Sequence, residues 1–355
     1  MTIKRRKKRV WNETGGEALG ALLVTVPESI RYLTGFTGSE ALLLLTKGRN
    51  YLVVDSRYTS QARSECVDTT VIEAQNKLGE ISRRTRKLGP KKVGFEPQRL
   101  TVAQHKEMED AGTVDLVPVP GVLERARMAK DAGELKLLRK AAAISSKSFL
   151  EVLDNIEVGA EEREVALLLE FQIRKNGAEA IPFPMIVASG KRGALPHGLA
   201  SRKRIGRGEF VTIDFGAVYR GYCSDETCTV MVGKPTARQK RVYKAVKDAH
   251  DKAINAIKPG VRTCQVDSAA RRTIERAGLG KYFKHGTGHG VGLAVHEEPR
   301  IAPEQNVVAE AGMVFTIEPG VYIPGWGGVR IEDTVRVTLQ GCEPLSSVPK
   351  ELYCL

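Results

Sequence analysis

Four glycines surround two histidines in His285-Gly286-Thr287-Gly288-His289-Gly290-Val291-Gly292, and a third histidine follows in Val295-His296-Glu297-Glu298. Glycine has no Cβ, so other groups can approach such a backbone closely. Imidazole is both a common metal ligand and a proton carrier near neutral pH. Two acidic hairpins flank this stretch. The first runs through Val211-Thr212-Ile213-Asp214-Phe215-Gly216, turns near Tyr219-Arg220-Gly221 and returns through Ser224-Asp225-Glu226-Thr227. The second runs through Phe315-Thr316-Ile317-Glu318-Pro319-Gly320, turns at Pro324-Gly325-Trp326-Gly327-Gly328 and returns through Ile331-Glu332-Asp333-Thr334. Each reads Thr-Ile-acid-x-Gly, a turn, then acid-acid-Thr. This is a degenerate internal repeat, in which two α/β halves each give one acidic hairpin to a shared centre.

A hairpin symmetric about Tyr219 and Arg220 would set Asp214 directly opposite Asp225, with Cβ atoms about 5 Å apart. Carboxylates so placed raise each other's pKa unless a cation sits between them. Four carboxylates and one imidazole are the donors of a two-metal site, and two divalent ions balance the four negative charges. Hard oxygen donors favour Mg²⁺ or Mn²⁺ over a thiolate-type zinc centre, and a histidine shifts the choice toward Mn²⁺, Co²⁺ or Zn²⁺. A water held between two such ions is a nucleophile near neutral pH. Strand capping, or pairing with a base such as Arg330, would explain any one of these acids but not both hairpins together with the histidines. Other motifs fail. Asp214-Phe215-Gly216 spells a kinase tripeptide without the catalytic loop that accompanies it. The glycines at 286–292 lack a phosphate-binding Lys-Ser/Thr.

Two domains are expected to carry these residues, because 355 residues exceed one ordinary core. Residues 1–17 read as a basic tail, 18–125 as an N-terminal α/β domain and 126–355 as the domain with the hairpins. In the N-terminal domain, strands are expected at Ala21–Val26, Ala41–Thr46, Tyr51–Asp55 and Lys92–Phe95, and helices at Ser60–Glu65, Leu78–Lys87 and Val102–Ala111. Beyond Asp131 the 3.6-residue period of Leu135, Leu138 and Ala142 predicts helix. Further helices are expected at Glu161–Lys175, about Thr236–Ile257 and about Cys264–Ala277. His105 and His250 read as exposed helix positions.

Net charge is +13, of which Lys4, Arg5, Arg6, Lys7, Lys8 and Arg9 supply six. Such a run could touch nucleic acid or anionic lipid, but it reads as a solvated tail. Six cysteines without CxxC spacing read as reduced thiols of a cytoplasmic protein. No apolar run approaches the roughly 18 residues of a membrane span.

The repeated hairpins and the glycine-histidine stretch resemble the pita-bread metallopeptidase family, which includes methionine aminopeptidase, prolidase and aminopeptidase P. The resemblance covers the chain from about Asp131 onward. It implies a pita-bread domain of two pseudo-repeated α/β halves behind a creatinase-like N-terminal α/β domain. It also implies two metal ions, Mn²⁺ foremost, held by Asp214, Asp225, His289, Glu318 and Glu332. Asp225 and Glu332 would bridge the ions, Asp214 would complete one, and His289 with Glu318 would complete the other. Glu318 would also move the proton to the leaving nitrogen. His197, in Leu195-Pro196-His197-Gly198, and His296 match histidines that the family places around the substrate.

The N-terminal stretch Ser29-Ile30-Arg31-Tyr32-Leu33-Thr34-Gly35-Phe36-Thr37-Gly38-Ser39 is similar to the proline-specific members. The implied substrate is a peptide with proline second, whose scissile amide has no N–H. An Xaa-Pro aminopeptidase is favoured over an Xaa-Pro dipeptidase (prolidase) on compact length and N-terminal pattern. A non-catalytic binding protein on the same fold is the alternative of another class. Arg300 could meet a substrate carboxylate or be a surface base, and Arg330 would orient the nearby bridging acid. Family habit implies a homodimer. One departure is Ser189-Gly190-Lys191-Arg192-Gly193-Ala194, where many relatives have an asparagine-serine pair.

Overall fold

Short apolar runs between turn residues build the first part of the chain. The computed structural model describes residues 1–111 and 114–355, which fall into two units, Met1–Arg127 and Met128–Leu355. In the first unit, helices α1 (Ile3–Glu13), α2 (Gly16–Leu19), α3 (Pro27–Thr34), α4 (Thr59–Glu65), α5 (Lys77–Leu88) and α6 (Val102–Asp110) accompany one six-stranded sheet. Its strands are β1 (Gly20–Val24), β2 (Leu42–Leu45), β3 (Tyr51–Val54), β4 (Thr70–Glu73), β5 (Lys92–Phe95) and β6 (Asp115–Pro118), in the order β4-β3-β2-β1-β5-β6. The central strands are apolar throughout because both their faces are covered. Leu23, Leu44, Val53, Val93 and Phe95 pack with Leu78, Ile81 and Met108 of the helices.

The basic run is not a free tail. It lies in α1, where Lys7, Val10 and Trp11 share one buried face at i, i+3 and i+4. Lys7 Nζ donates to the carbonyls of Asp68 (2.6 Å) and Val67 (3.0 Å). The Arg6 guanidinium lies 4.4 Å over the ring of Tyr32. Val10 and Trp11, just past the run, were the signal that this segment is anchored.

Helix α7 (Val122–Met128) precedes the second unit. There α8 (Ala132–Val152) and α9 (Glu162–Lys175) cover an antiparallel sheet β11-β8-β7, formed by β7 (Ile186–Ser189), β8 (Glu209–Phe215) and β11 (Glu226–Val232). The small hairpin β9 (Val218–Tyr219) and β10 (Tyr222–Cys223) turns at Arg220 and Gly221, both with positive φ. Phe149 of α8 stacks on Phe215 at 4.9 Å, and Val165, Leu169 and Ile173 of α9 fill the same core. Helices α10 (Ala237–Ala256) and α11 (Thr263–Arg276) cover a second sheet in the same way. That sheet joins β12 (Gly288–Gly290), β13 (Glu297–Ile301), β14 (Val314–Ile317), β17 (Asp333–Val337) and β18 (Cys342–Pro344) in the order β13-β12-β14-β17-β18. The hairpin of β15 (Gly320–Ile323) and β16 (Gly327–Arg330) lies between them in sequence. Two helices on one antiparallel sheet, twice over, is the repeat that the hairpins announce.

The hairpin register differs from expectation. Asp214 pairs with Thr227, not with Asp225, which lies one residue before β11. The shift is two residues, so Asp225 still shares a face with Asp214 as a diagonal neighbour. In the second hairpin Thr316 pairs with Thr334, whereas its counterpart Thr212 pairs with Thr229. The two halves are thus offset by two residues, which conserves the face of every side chain. Among the described residues, no helix is long and apolar enough to cross a membrane.

Candidate metal centre

The acids sit where the strands stop. Asp214 is the penultimate residue of β8, Asp225 precedes β11, Glu318 follows β14 and Glu332 lies between β16 and β17. His289 is the middle residue of β12, which is threaded between β13 and β14. The glycines on either side make that possible. A Cβ on Gly288 would run into the Thr316 carbonyl, and one on Gly290 into the Glu298 carbonyl.

All five side chains line one cavity of about 940 Å³. Donor atoms of Asp225, His289 and Glu332 lie within 4.8 Å of one another, and all three residues are buried. His289 Nε2 is 3.4 Å from Asp225 Oδ2 and 3.5 Å from Glu318 Oε1. Its Nδ1 lies 3.0 Å from the Gly290 carbonyl. That contact favours the proton on Nδ1 and leaves the Nε2 lone pair facing the carboxylates. Burial holds His289 below the ordinary imidazole range.

Without a cation this cluster is electrostatically unfavourable. Burial, then the charges of Glu332, Asp214 and Glu318, push Asp225 well above the usual carboxylate range. Burial and the charges of Glu318 and Asp214 do the same to Glu332, and Glu318 is also raised, chiefly by burial. Arg330 Nη2 pairs with Asp214 Oδ2 at 2.6 Å, while Asp214 Oδ1 is buried with no hydrogen-bond partner. An orphaned carboxylate oxygen, three carboxyls whose ionisation burial and neighbouring charges disfavour, and an imidazole lone pair facing them fit a divalent cation in chemistry and charge.

Sequence reasoning put Arg330 beside Glu332, but its ion pair is with Asp214. The guanidinium also donates to Thr227 Oγ1 (3.1 Å), the Pro196 carbonyl (3.0 Å) and Tyr322 Oη (2.9 Å). Threonines of the repeat, to which sequence reasoning gave no role, hydrogen-bond to one acid side chain and to the backbone at His289 and Asp225. Thr227 Oγ1 donates to Glu332 Oε2 at 2.7 Å. Thr316 Oγ1 accepts from the His289 backbone N–H at 3.1 Å. Thr334 Oγ1 donates to the Asp225 carbonyl at 2.8 Å. Their recurrence in both hairpins was the available signal.

His197, His296 and Arg300 line the same cavity. The His296 ring lies 4.4 Å from that of His289, nearly edge-on, and burial with the neighbouring His289 and Arg300 charges lowers it to about 4. His285 also lines the cavity, with Nε2 3.0 Å from Tyr322 Oη. His250 is not exposed as expected. It is 2% exposed, beside Asp333 and away from the cavity lining.

The description of metallopeptidase family M24 matches residues 136–339, and that of the creatinase/prolidase N-terminal domain matches residues 6–129. An Xaa-Pro dipeptidase from Bacillus anthracis superposes with a TM-score of 0.97 and 40% identity, covering 100% of both chains. An X-Pro aminopeptidase from Thermotoga maritima superposes at 0.91 with 37% identity, over 98% of this chain and 99% of the other. The Xaa-Pro dipeptidase of Pyrococcus horikoshii is 37% identical over 99% of both sequences.

Proposed function

The chain belongs to metallopeptidase family M24, and we propose that it is an Xaa-Pro dipeptidase working with two divalent metal ions, Mn²⁺ by preference. The convergence of Asp214, Asp225, His289, Glu318 and Glu332 on one cavity carries the catalytic part of this reading. Asp214, Asp225, His289, Glu318 and Glu332 would hold the two ions. When bound, the metal supplies an activated water and polarises the carbonyl that precedes proline.

The protein's own residues do the rest. Arg330 and Thr227 fix the directions of the Asp214 and Glu332 carboxylates before substrate arrives. Glu318 takes the proton of the attacking water and passes it to the proline nitrogen as the bond breaks. His197 and His296, on the cavity wall, hold the substrate and its carbonyl oxygen as that carbon becomes tetrahedral. Arg300, on the same wall, meets the free carboxylate of a dipeptide.

The names of the Bacillus anthracis and Pyrococcus horikoshii relatives support the dipeptidase over the aminopeptidase favoured on sequence alone. The Thermotoga maritima relative keeps the aminopeptidase as a second reading. Apo-protein reloaded with Mn²⁺ and given an Xaa-Pro dipeptide and an Xaa-Pro-Xaa tripeptide separates them. The dipeptide is expected to be cleaved and the tripeptide spared, with Asp225→Asn inactive toward both. Arg300→Met is expected to raise KM for the dipeptide on the order of tenfold to a hundredfold, the worth of one charge-assisted hydrogen bond. Efficient tripeptide cleavage would establish the second reading. No cleavage of either peptide by Mn²⁺-loaded protein would sink both.

A further inference from the structure

Each hairpin returns through two consecutive acids, and the reading above uses only the first of each pair. Along a strand successive side chains point to opposite faces. Asp225 and Glu332 therefore face the cavity, while Glu226 and Asp333, paired with Phe215 and Ile317, face away from it. Both rear acids are buried, Glu226 completely.

One cation lies between them. Lys350 Nζ is 2.5 Å from Glu226 Oε1, in the first half, and 3.3 Å from Asp333 Oδ1, in the second. Hydroxyls also reach both carboxylates, one on the second oxygen of Glu226 and one on the Asp333 oxygen that Lys350 faces. Ser146 Oγ donates to Glu226 Oε2 at 2.6 Å, and Ser346 Oγ to Asp333 Oδ1 at 2.5 Å. His250 Nε2 lies 3.2 Å from Asp333 Oδ2. The segment that carries Lys350 is itself secured. Tyr243 Oη donates to the Lys350 carbonyl at 3.0 Å, and residues 353–355 run beside β11 through Met231.

We propose that Lys350 is a positioning residue of the metal centre, a single ammonium that ties the rear acid of each half together and so sets the separation of Asp225 and Glu332. The proposal rests on the reading of those two acids as ligands. Each rear acid is joined to its ligand by one peptide bond, so a movement that separates Glu226 from Asp333 also separates Asp225 from Glu332. Without the ammonium, two buried carboxylates would repel across the junction of the halves. A purely structural ion pair would alter the melting temperature and leave metal affinity unchanged in the folded protein.

The test is calorimetric titration of apo-protein with Mn²⁺, at a temperature where circular dichroism shows each variant folded. Wild-type protein that binds no Mn²⁺ removes the ligand reading, and this proposal with it. Given wild-type binding, Lys350→Met is expected to weaken it by about tenfold or more, and Lys350→Arg to restore most of the loss. Leu169→Ala, a core truncation in α9, is expected to lower the melting temperature without changing affinity. Lys350→Met that binds Mn²⁺ as tightly as wild type overturns the proposal. Should that variant not fold, Lys350→Gln, which keeps a hydrogen-bond donor but loses the charge, decides by the same criterion.

Discussion

Asp214 shows what one residue's surroundings decide. Its type and its place in a Thr-Ile-acid-x-Gly strand were legible in the sequence. Its arginine was not, because Arg330 is 116 residues away and only the fold brings them together. The same holds for Glu96 in the first unit, which carries no motif at all. Its Oε2 accepts from the backbone N–H groups of Thr25 (2.7 Å) and Val26 (2.9 Å), while its Oε1 is buried without a partner. Burial pushes this carboxyl up from 4.5 to about 7. The unfolded chain ionises near the ordinary value and the folded chain does not. Stability from this group is therefore intact at low pH, falls as pH rises from about 4.5, and levels off above about 7. The loss amounts to about 3 kcal/mol. Glu96→Gln is expected to melt several degrees above the parent at pH 8, with the gap closing toward pH 5. A gap of equal size at both pH values in scanning calorimetry would show that Glu96 ionises normally.

At the scale of elements, most strands and helices were legible because their apolar periods and end signals agree. The helix expected from Thr236 begins with that residue as its cap, its hydroxyl accepting from the Gln239 backbone N–H. Two burials were not legible. The run Lys4–Arg9 looks solvated by charge, yet α1 buries Lys7 against carbonyls that lie 60 residues on. His250 has a polar sequence neighbourhood, yet α10 turns it toward Asp333. In both cases a distant partner stabilises a charge-bearing group that local composition assigns to water. The glycines of β12 were legible for the right reason, since close backbone approach is what they permit. Gly290→Ala is expected to push β12 from β13 and displace His289. A cost of about 2–4 kcal/mol in unfolding free energy would accompany it, with Mn²⁺ binding weakened well over tenfold. A variant with unchanged denaturation midpoint and unchanged metal affinity would show that β12 has slack there.

For the molecule as a whole, the repeat of two halves was legible from the paired hairpins, and the two-residue offset between them was not. That offset conserves the side-chain alternation, so no pattern of residue types reports it. The breadth of the cavity was equally hidden, because loops far apart in sequence line it. Metal bound at the proposed ligands would stabilise the native state by mass action, by about 2.7 kcal/mol at a hundredfold excess over Kd. Hydrogen exchange with and without Mn²⁺ is expected to show its largest gains in protection at 225–232, 286–290 and 314–318. Largest gains at 20–54 instead would place the ion elsewhere. The proposed ligands are also spread widely along the chain, Asp214 standing 118 residues before Glu332. A nascent chain on the ribosome thus exposes its first acidic hairpin long before the second exists. It has half a site, and no hydrolytic power, throughout that interval. Metallation becomes a late checkpoint, passed only by molecules whose two halves have already closed on each other.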